Sequence, residues 1–198
     1  MQFLSIEHVS KTFDGVVALN DVSFDINQGE VHGLVGENGC GKSTLMKIIA
    51  GVLEYDRGIL TIRGQQIEKY NAIEAAQHGI GIIYQDLSLF PNLTVLENIY
   101  ISQMLNDKKP LVFSGRFKHK VQQIIQQLGI TLDLEAMVEE LPIAKQQLVA
   151  IARALINDSR LIILDEPTTA LTRTEINSLF TLLYRLREQG ISFIFISH

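Results

Sequence analysis

The 198-residue sequence has no tryptophan, only one cysteine and four prolines, and no long hydrophobic run. The single cysteine, Cys40, excludes an internal disulfide and is typical of a protein in a reducing cytoplasm. No apolar run approaches the roughly 18 residues that a membrane-spanning helix needs. Residues 1–10 also lack the basic and apolar pattern of a signal peptide. We therefore expect a soluble or peripheral protein, which would serve a membrane process only by docking to a partner.

The sequence also lacks the positive charge of most nucleic-acid-binding domains. It has 22 acidic residues against 17 lysines and arginines, which gives a formal net charge of -5. Because nucleic-acid binding usually depends on a basic face or stripe, we expect no nucleic-acid partner. The length and a hydrophobic fraction of 46% predict one globular domain over residues 1–198, with a sizeable core.

The sequence does contain an alternation of strand and helix patterns. Residues 1–27 predict two strands joined by a turn at Asp14 and Gly15. Helix signals include Asn71 with Glu74, and Thr172 with Glu175, both spaced as capping boxes. Residues 87–141 are mostly helical in pattern. The fold predicted is α/β, with a mainly parallel core sheet, an N-terminal antiparallel β subdomain and an inserted helical subdomain. Further strands are predicted at residues 30–35, 58–63, 80–84, 161–164 and 191–196.

A phosphate-binding motif follows the strand predicted at residues 30–35. Residues 36–43 are Gly-Glu-Asn-Gly-Cys-Gly-Lys-Ser, a P-loop pattern with a predicted strand before it and a helix after it. Such a loop turns backbone N–H groups toward an anion, and the helix N-terminus adds positive potential. Lys42 can reach the β- and γ-phosphates, and the Ser43 hydroxyl can bind Mg²⁺. The nucleotide-binding residues predicted here are Gly36, Asn38, Gly39, Cys40, Gly41, Lys42, Ser43 and Thr44.

An acidic pair ends the strand predicted at residues 161–164. Asp165 and Glu166 are costly at the end of a buried strand unless they serve a cation or a polar network. With a P-loop upstream, we expect Asp165 to lie opposite Ser43 across Mg²⁺. We expect Glu166 to orient or deprotonate an attacking water. A strand that merely ends in solvated acids is the weaker alternative.

These motifs resemble those of the ABC-type ATPases, from about residue 3 to residue 198. The resemblance implies a P-loop NTPase fold of ABC type with ATP and Mg²⁺ as ligands. It assigns Phe13 to stacking on adenine, Gln85 to contact with Mg²⁺ or water, and His198 to a hydrogen bond with the γ-phosphate. The implied catalytic residues are Glu166, His198 and Gln85, and the implied metal ligands are Ser43, Gln85 and Asp165.

The resemblance also implies partners and a location. These are a second ABC nucleotide-binding domain, in the same parent chain or another subunit, an integral membrane permease, and indirectly a periplasmic or lipid-anchored solute-binding protein. The protein would be peripheral, at the cytoplasmic face of the bacterial cell membrane. Residues 79–85 and 146–155 are similar to the N-terminal nucleotide-binding domain of tandem sugar-importer ATPases of the ribose, galactose and xylose type. Family members continue past the histidine at this position, so we expect the chain to be part of a longer parent.

One family motif is altered. Where the family has Leu-Ser-Gly-Gly-Gln, this chain has Leu-Pro-Ile-Ala-Lys at residues 141–145. Pro142 replaces a serine whose hydroxyl would contact a γ-phosphate, and Ala144 replaces a glycine that permits close backbone approach. In the family this segment closes over ATP held by the partner domain. We therefore expect two unequal ATP sites.

Three functions remain open from the sequence. The first is a transport ATPase that powers import of a solute, with a sugar favoured by the resemblance. The second is an ATP-binding regulatory half-site with weak hydrolysis, because of the altered signature. The third is a non-transport soluble ABC protein, which we would expect to have an intact signature and basic segments. Glu166 favours the first over the second.

Overall fold

The N-terminal hairpin turns through two residues with left-handed backbone conformation. Asp14 has φ 44° and Gly15 has φ 86°. They connect β1 (Gln2–Phe13) to β2 (Val16–Asn27), as the sequence predicted. An Asp-Gly pair suits this turn because both central residues of the tight hairpin need positive φ. The computed structural model describes residues 1–107 and 115–197.

The hairpin belongs to a four-stranded antiparallel sheet. Its order is β2-β1-β4-β5, with β4 (Arg57–Ile62) and β5 (Gln65–Ile67) added beside β1. The register pairs Leu4 with Ile62 and Ile6 with Leu60, and these four side chains are almost fully buried. The predicted antiparallel subdomain is therefore confirmed, and it contains two strands beyond the hairpin.

A second sheet contains the remaining strands. Its order is β3-β8-β7-β6, formed by β3 (Val31–Val35), β6 (Ile80–Ile83), β7 (Leu161–Asp165) and β8 (Ser192–Ser197). The β3–β8 and β7–β8 pairs are parallel. Residues 161–164 are buried, as expected for a strand covered on both faces. The prediction of a parallel core sheet is confirmed for these strands.

Six helices are present among the described residues. Both predicted capping boxes form, since Asn71 and Glu74 exchange hydrogen bonds at the start of α2, as do Thr172 and Glu175 before α6. Within residues 87–141, α3 and α4 and a short 3-10 helix at Val138–Glu140 give the helical content that the pattern indicated. The helices are α1 (Lys42–Ile49), α2 (Ala72–Gln77), α3 (Val95–Asp107), α4 (Gly115–Leu128), α5 (Ile143–Ile156) and α6 (Arg173–Glu188).

The chain divides into two compact units. The first contains residues 1–82, 159–166 and 186 onward, and therefore the antiparallel sheet and α1. The second contains residues 83–158 and 167–185, and therefore α3, α4 and α5. Within residues 1–107 and 115–197, no helix has the length and apolar character needed to cross a membrane.

The C-terminal end of α1 is held by a tyrosine. The Tyr70 hydroxyl lies 3.1 Å from the carbonyl oxygen of Ile48 and is also within hydrogen-bond distance of Ile49 O. Burial raises the pKa of the Tyr70 phenol above its ordinary value, so the hydroxyl remains a donor at neutral pH. These carbonyls belong to the last turn of α1, where intrahelical donors run out.

We predict that Tyr70→Phe lowers the free energy of unfolding by about 1 kcal/mol, because the carbonyls of the buried residues Ile48 and Ile49 lose this donor. Urea unfolding of the wild-type and variant chains measures the difference. Tyr184→Phe is the control, since Tyr184 is 56% exposed, and it should stay within about 0.5 kcal/mol of the wild type. Equal effects of the two changes would contradict a capping role for Tyr70.

Candidate nucleotide-binding site

The carboxyl ends of three parallel strands meet at one edge of the second sheet. Val35, the last residue of β3, is paired with Ser197 of β8, and Asp165 of β7 is paired with Ile196. The P-loop begins directly after Val35. The register therefore brings the start of the P-loop and the acidic pair to the same edge of the sheet, within the first unit. His198 follows β8, but it lies outside the described residues.

The P-loop ends against β2. Gly41 is the N-cap of α1, has φ 96°, and makes no side-chain capping bond to the first-turn amides. A Cβ atom at Gly41 would lie 2.3 Å from the carbonyl oxygen of Ala18 and 2.8 Å from Leu19 Cδ2. The first-turn N–H groups of α1 are donors without intrahelical acceptors, so they suit an anion. This close packing fixes the helix start, and only glycine fits there.

The Lys42 ammonium lies inside the loop. The residue is 7% exposed, and Nζ donates hydrogen bonds to the carbonyl oxygens of Gly36 (2.5 Å) and Glu37 (2.9 Å). Its third close neighbour is Cys40 Sγ at 3.8 Å. A thiol is a weak acceptor, so this is the contact that a phosphate oxygen would replace most easily. Cys40 and Ser43 are exposed, and Thr44 is half-buried.

The acidic pair lies at the end of β7 in a strained backbone. Asp165 and Glu166 are both half-buried, and Glu166 has φ 47°, which is uncommon for a residue other than glycine. The Glu166 backbone N–H donates to the carbonyl oxygen of Ile196 at 3.1 Å, which ties the bend to β8. Backbone strain of this kind concentrates at functional sites, where the surrounding structure maintains it.

The donor set fits Mg²⁺ bound together with a nucleotide. Among the described residues, no group of three or more His, Cys, Asp or Glu side chains could hold a metal by itself. Mg²⁺ does not require such a group, because it is commonly held by one or two side chains with waters and phosphate oxygens. The exposed Ser43 hydroxyl and the Asp165 carboxylate offer oxygen ligands of this kind.

The two remaining predicted residues lie in different units. Phe13 ends β1 in the first unit, opposite Val16, and is 42% exposed. Lys11 Nζ lies 5.4 Å from the centroid of its ring. Gln85 lies two residues after β6, in the second unit, and is exposed. The assignments of Phe13 to adenine and of Gln85 to Mg²⁺ stay predictions.

Comparison with known proteins identifies the family. The family model described as ABC transporter matches residues 19–169, a range that includes the P-loop, Gln85 and the acidic pair. The chain belongs to the ABC transporter family. Phe13 and His198 lie outside the matched range.

Individual relatives agree with this membership. The chain is similar to a ribose import ATP-binding protein of Hahella chejuensis, with 44% identity over 98% of this chain and 39% of that protein. It thus spans about two fifths of that relative's length. It also superposes on an ATP-binding cassette of an ABC transporter in its ADP conformation, with a TM-score of 0.91 and 29% identity. That match covers 100% of this chain and 82% of the solved one.

A second solved structure is a dimer. It is the post-hydrolysis state of an ATP-binding cassette bound to ADP and Pi. The TM-score is 0.80 at 28% identity, and the match covers 98% of this chain and 88% of the other.

The altered signature of this ABC transporter family member lies at the N-terminus of α5. Pro142 is the N-cap, with φ -55°, and it makes no side-chain capping bond. Ala144 and Lys145 lie in the first turn, where Ala144 is half-buried and Lys145 is exposed. A serine at position 142 could cap the helix or contact a ligand through its hydroxyl, and proline can do neither.

Two polar residues of α5, the buried Gln147 and the half-buried Arg153, make bonds that the sequence did not predict. Gln147 is 8% exposed; its Nε2 donates to the carbonyl oxygen of Pro167, and its buried Oε1 has no hydrogen-bond partner within residues 1–107 and 115–197. Arg153 donates to the carbonyl oxygens of Leu87 (2.9 Å) and Ser88 (2.8 Å). Burial lowers the pKa of Arg153 from its ordinary value. The helical pattern could not reveal these bonds because their acceptors lie far away in the sequence.

Two glycines of the P-loop provide a matched test of the packing against β2. Both have positive φ, but a Cβ atom at Gly39 would meet nothing within 4 Å, whereas one at Gly41 would overlap Ala18 O. We predict that Gly41→Ala lowers the free energy of unfolding by at least about 2 kcal/mol, through strain and overpacking. Gly39→Ala should cost about 1 kcal/mol, from backbone strain alone. Urea unfolding without nucleotide measures both values, and equal losses would contradict the close approach at Gly41.

Proposed function

We propose that this chain binds Mg-ATP and hydrolyses it to power the import of a solute through a membrane permease. The observation that carries the proposal is the register of β3, β8 and β7. It supports a site in which the P-loop and the pair Asp165 and Glu166 face one bound triphosphate. Membership of the ABC transporter family supports ATP as the nucleotide.

Each residue has a distinct task in this proposal. Lys42 and the first-turn amides of α1 hold the β- and γ-phosphates. Ser43 and Asp165 would hold Mg²⁺, which would supply positive charge against the phosphate oxygens. Glu166 orients the attacking water and accepts its proton.

Phe13 and His198 complete the proposed site. The Phe13 ring stacks on adenine, which suits an exposed aromatic side chain at the end of β1. His198 donates a hydrogen bond to the γ-phosphate as negative charge builds up there. The range matched by the family model includes neither residue, so both roles rest on the resemblance of the motifs.

The proposed cargo is a sugar. The Hahella chejuensis relative is named for ribose import and is 44% identical to this chain over 195 residues. This degree of identity supports a related transport role. The chosen sugar depends on the permease and on a periplasmic or lipid-anchored binding protein that delivers it. We accordingly place the chain peripherally, at the cytoplasmic face of a bacterial membrane.

A second nucleotide-binding domain is the proposed direct partner. The dimeric ATP-binding cassette with ADP and Pi supports an arrangement in which two such domains meet. In that arrangement the N-terminus of α5 would face the partner's ATP. Pro142 removes the hydroxyl that would act there, so the partner's site is the weaker one. The chain's own site keeps Lys42 and Glu166, which favours hydrolysis over the regulatory half-site alternative.

The first test of ATP binding is Lys42→Ala. We expect at least about a tenfold loss of ATP affinity, because a buried charged donor to phosphate is removed. Equilibrium dialysis with labelled ATP and Mg²⁺ measures it. Lys47→Ala is the control, since this lysine lies on α1 but is exposed. Unchanged affinity of the Lys42 variant would overturn the assignment of the P-loop.

The test of hydrolysis is Glu166→Gln. We expect ATP affinity to stay within about twofold and the rate of phosphate release to fall by about 100-fold or more, since a general base contributes that much. The rates are compared at the protein concentration that gives the wild type its highest specific activity. Glu188→Gln, at an exposed glutamate of α6, is the control. Loss of ATP binding in the Glu166 variant would instead show a structural role.

A further inference from the structure

One aspartate contacts three consecutive residues of the segment that leads to Phe13. Asp56 Oδ1 accepts a hydrogen bond from Lys11 Nζ at 2.6 Å, and Oδ2 accepts one from the Thr12 backbone N–H at 2.8 Å. The Asp56 backbone N–H donates to the carbonyl oxygen of Ser10 at 2.9 Å. Residues 10–12 are therefore fixed immediately before the aromatic side chain.

The ion pair differs from an ordinary exposed one. The Lys11 side chain is only 14% exposed, and its ammonium lies over the Phe13 ring, 5.4 Å from the centroid. An exposed pair usually contributes little because both side chains lose rotamer freedom in water. Here Lys11 contacts a carboxylate and an aromatic face together, so its position also determines that of the ring. The hydrogen bond from Lys11 holds the pKa of the Asp56 carboxyl below its ordinary value, so this carboxylate stays ionised at neutral pH.

The hairpin that contains this segment also contacts the start of the P-loop helix. Phe13 lies on the β1–β2 hairpin, and the β2 residue Ala18 packs against Gly41 at the start of α1. Asp56 lies shortly after the C-terminal end of α1, just before β4. The hairpin that contains Phe13 thus contacts the start of the phosphate-binding helix, and Asp56 follows that helix in the chain, with all of these residues in the first unit.

We propose that Lys11 and Asp56 are positioning residues for the nucleobase, which hold the Phe13 ring in the orientation that stacks on adenine. This inference rests on the proposed function, because it requires Phe13 to contact the base of a bound nucleotide. A ring that is fixed before binding loses less conformational freedom when it stacks. The pair is therefore expected to affect affinity for the base and to leave affinity for the triphosphate unchanged.

The experiment compares two ligands that share phosphates and differ in the base. ATP and inorganic tripolyphosphate are each titrated, with Mg²⁺, into the wild-type chain and its variants by isothermal calorimetry. Phe13→Ala should lower the affinity for ATP by about tenfold or more, the amount that base stacking on an aromatic side chain commonly contributes. Asp56→Ala should lower the affinity for ATP by about three- to tenfold, because the Phe13 ring is then less ordered. The affinity for tripolyphosphate should stay unchanged.

A double variant separates positioning from a general structural effect. If Asp56 acts through the ring, then Asp56→Ala added to Phe13→Ala should cause no further loss of ATP affinity. Lys11→Met should resemble Asp56→Ala, because it removes the other member of the pair. The matched control is Glu54→Ala, which breaks the exposed ion pair with Lys69 at 3.3 Å and should change neither affinity.

Three outcomes would overturn the inference. Equal loss of ATP and tripolyphosphate affinity in Asp56→Ala would show a general effect on the P-loop. Additive losses in the double variant would show that Asp56 acts independently of Phe13. Unchanged ATP affinity in Phe13→Ala, together with loss in Lys42→Ala, would leave the proposed ATPase function intact and remove the base-positioning role. A wild-type chain that binds neither ligand would overturn the proposed function itself.

Discussion

The parallel pairing of β3, β8 and β7 is the constraint on which the candidate site depends. Parallel strands end at the same edge, so the residues after Val35 and after Asp165 are brought together although they are far apart in sequence. β7 and most of β8 are buried, and burying their apolar side chains stabilises the register. An antiparallel β7 would send its acidic pair to the opposite edge, and the P-loop would have no carboxylate beside it.

Around this edge the chain adopts two left-handed backbone conformations, and that of Glu166 is costly by itself, whereas glycine takes positive φ readily. Glu166 at φ 47° and Gly41 at φ 96° each depend on a contact with a neighbouring strand, through Ile196 O and through Ala18. The strain is tolerated because the sheet core holds both contacts in place. The acid and the phosphate loop are thereby prepositioned, which lowers the entropic cost of gathering the groups around a nucleotide.

The sequence predicted those features whose cause lies within a few residues. Capping boxes such as Asn71 with Glu74, and the Asp14-Gly15 turn, are specified by neighbouring residues and appear as expected. The pairing of β1 with β4 and the bond from Lys11 to Asp56 join residues far apart in the chain. Residue spacing carries no information about which distant partner a side chain will meet. For the same reason the P-loop was recognised from its motif, while the residues that hold Phe13 were found only in the fold.

The altered signature at residues 141–145 is compatible with the helix that follows it. Proline is compatible with a helix start, since its fixed φ suits that position and no intrahelical donor is needed there. With Pro142 at the N-cap, α5 still forms, Gln147 still donates to Pro167 O, and Arg153 still holds Leu87 and Ser88. Pro142 therefore offers no side-chain hydroxyl at the start of α5, while the contacts of this helix within the second unit are made. In the proposed arrangement of two domains, this separation would let the chain keep Lys42 and Glu166 for its own site while contributing less to the site of its partner.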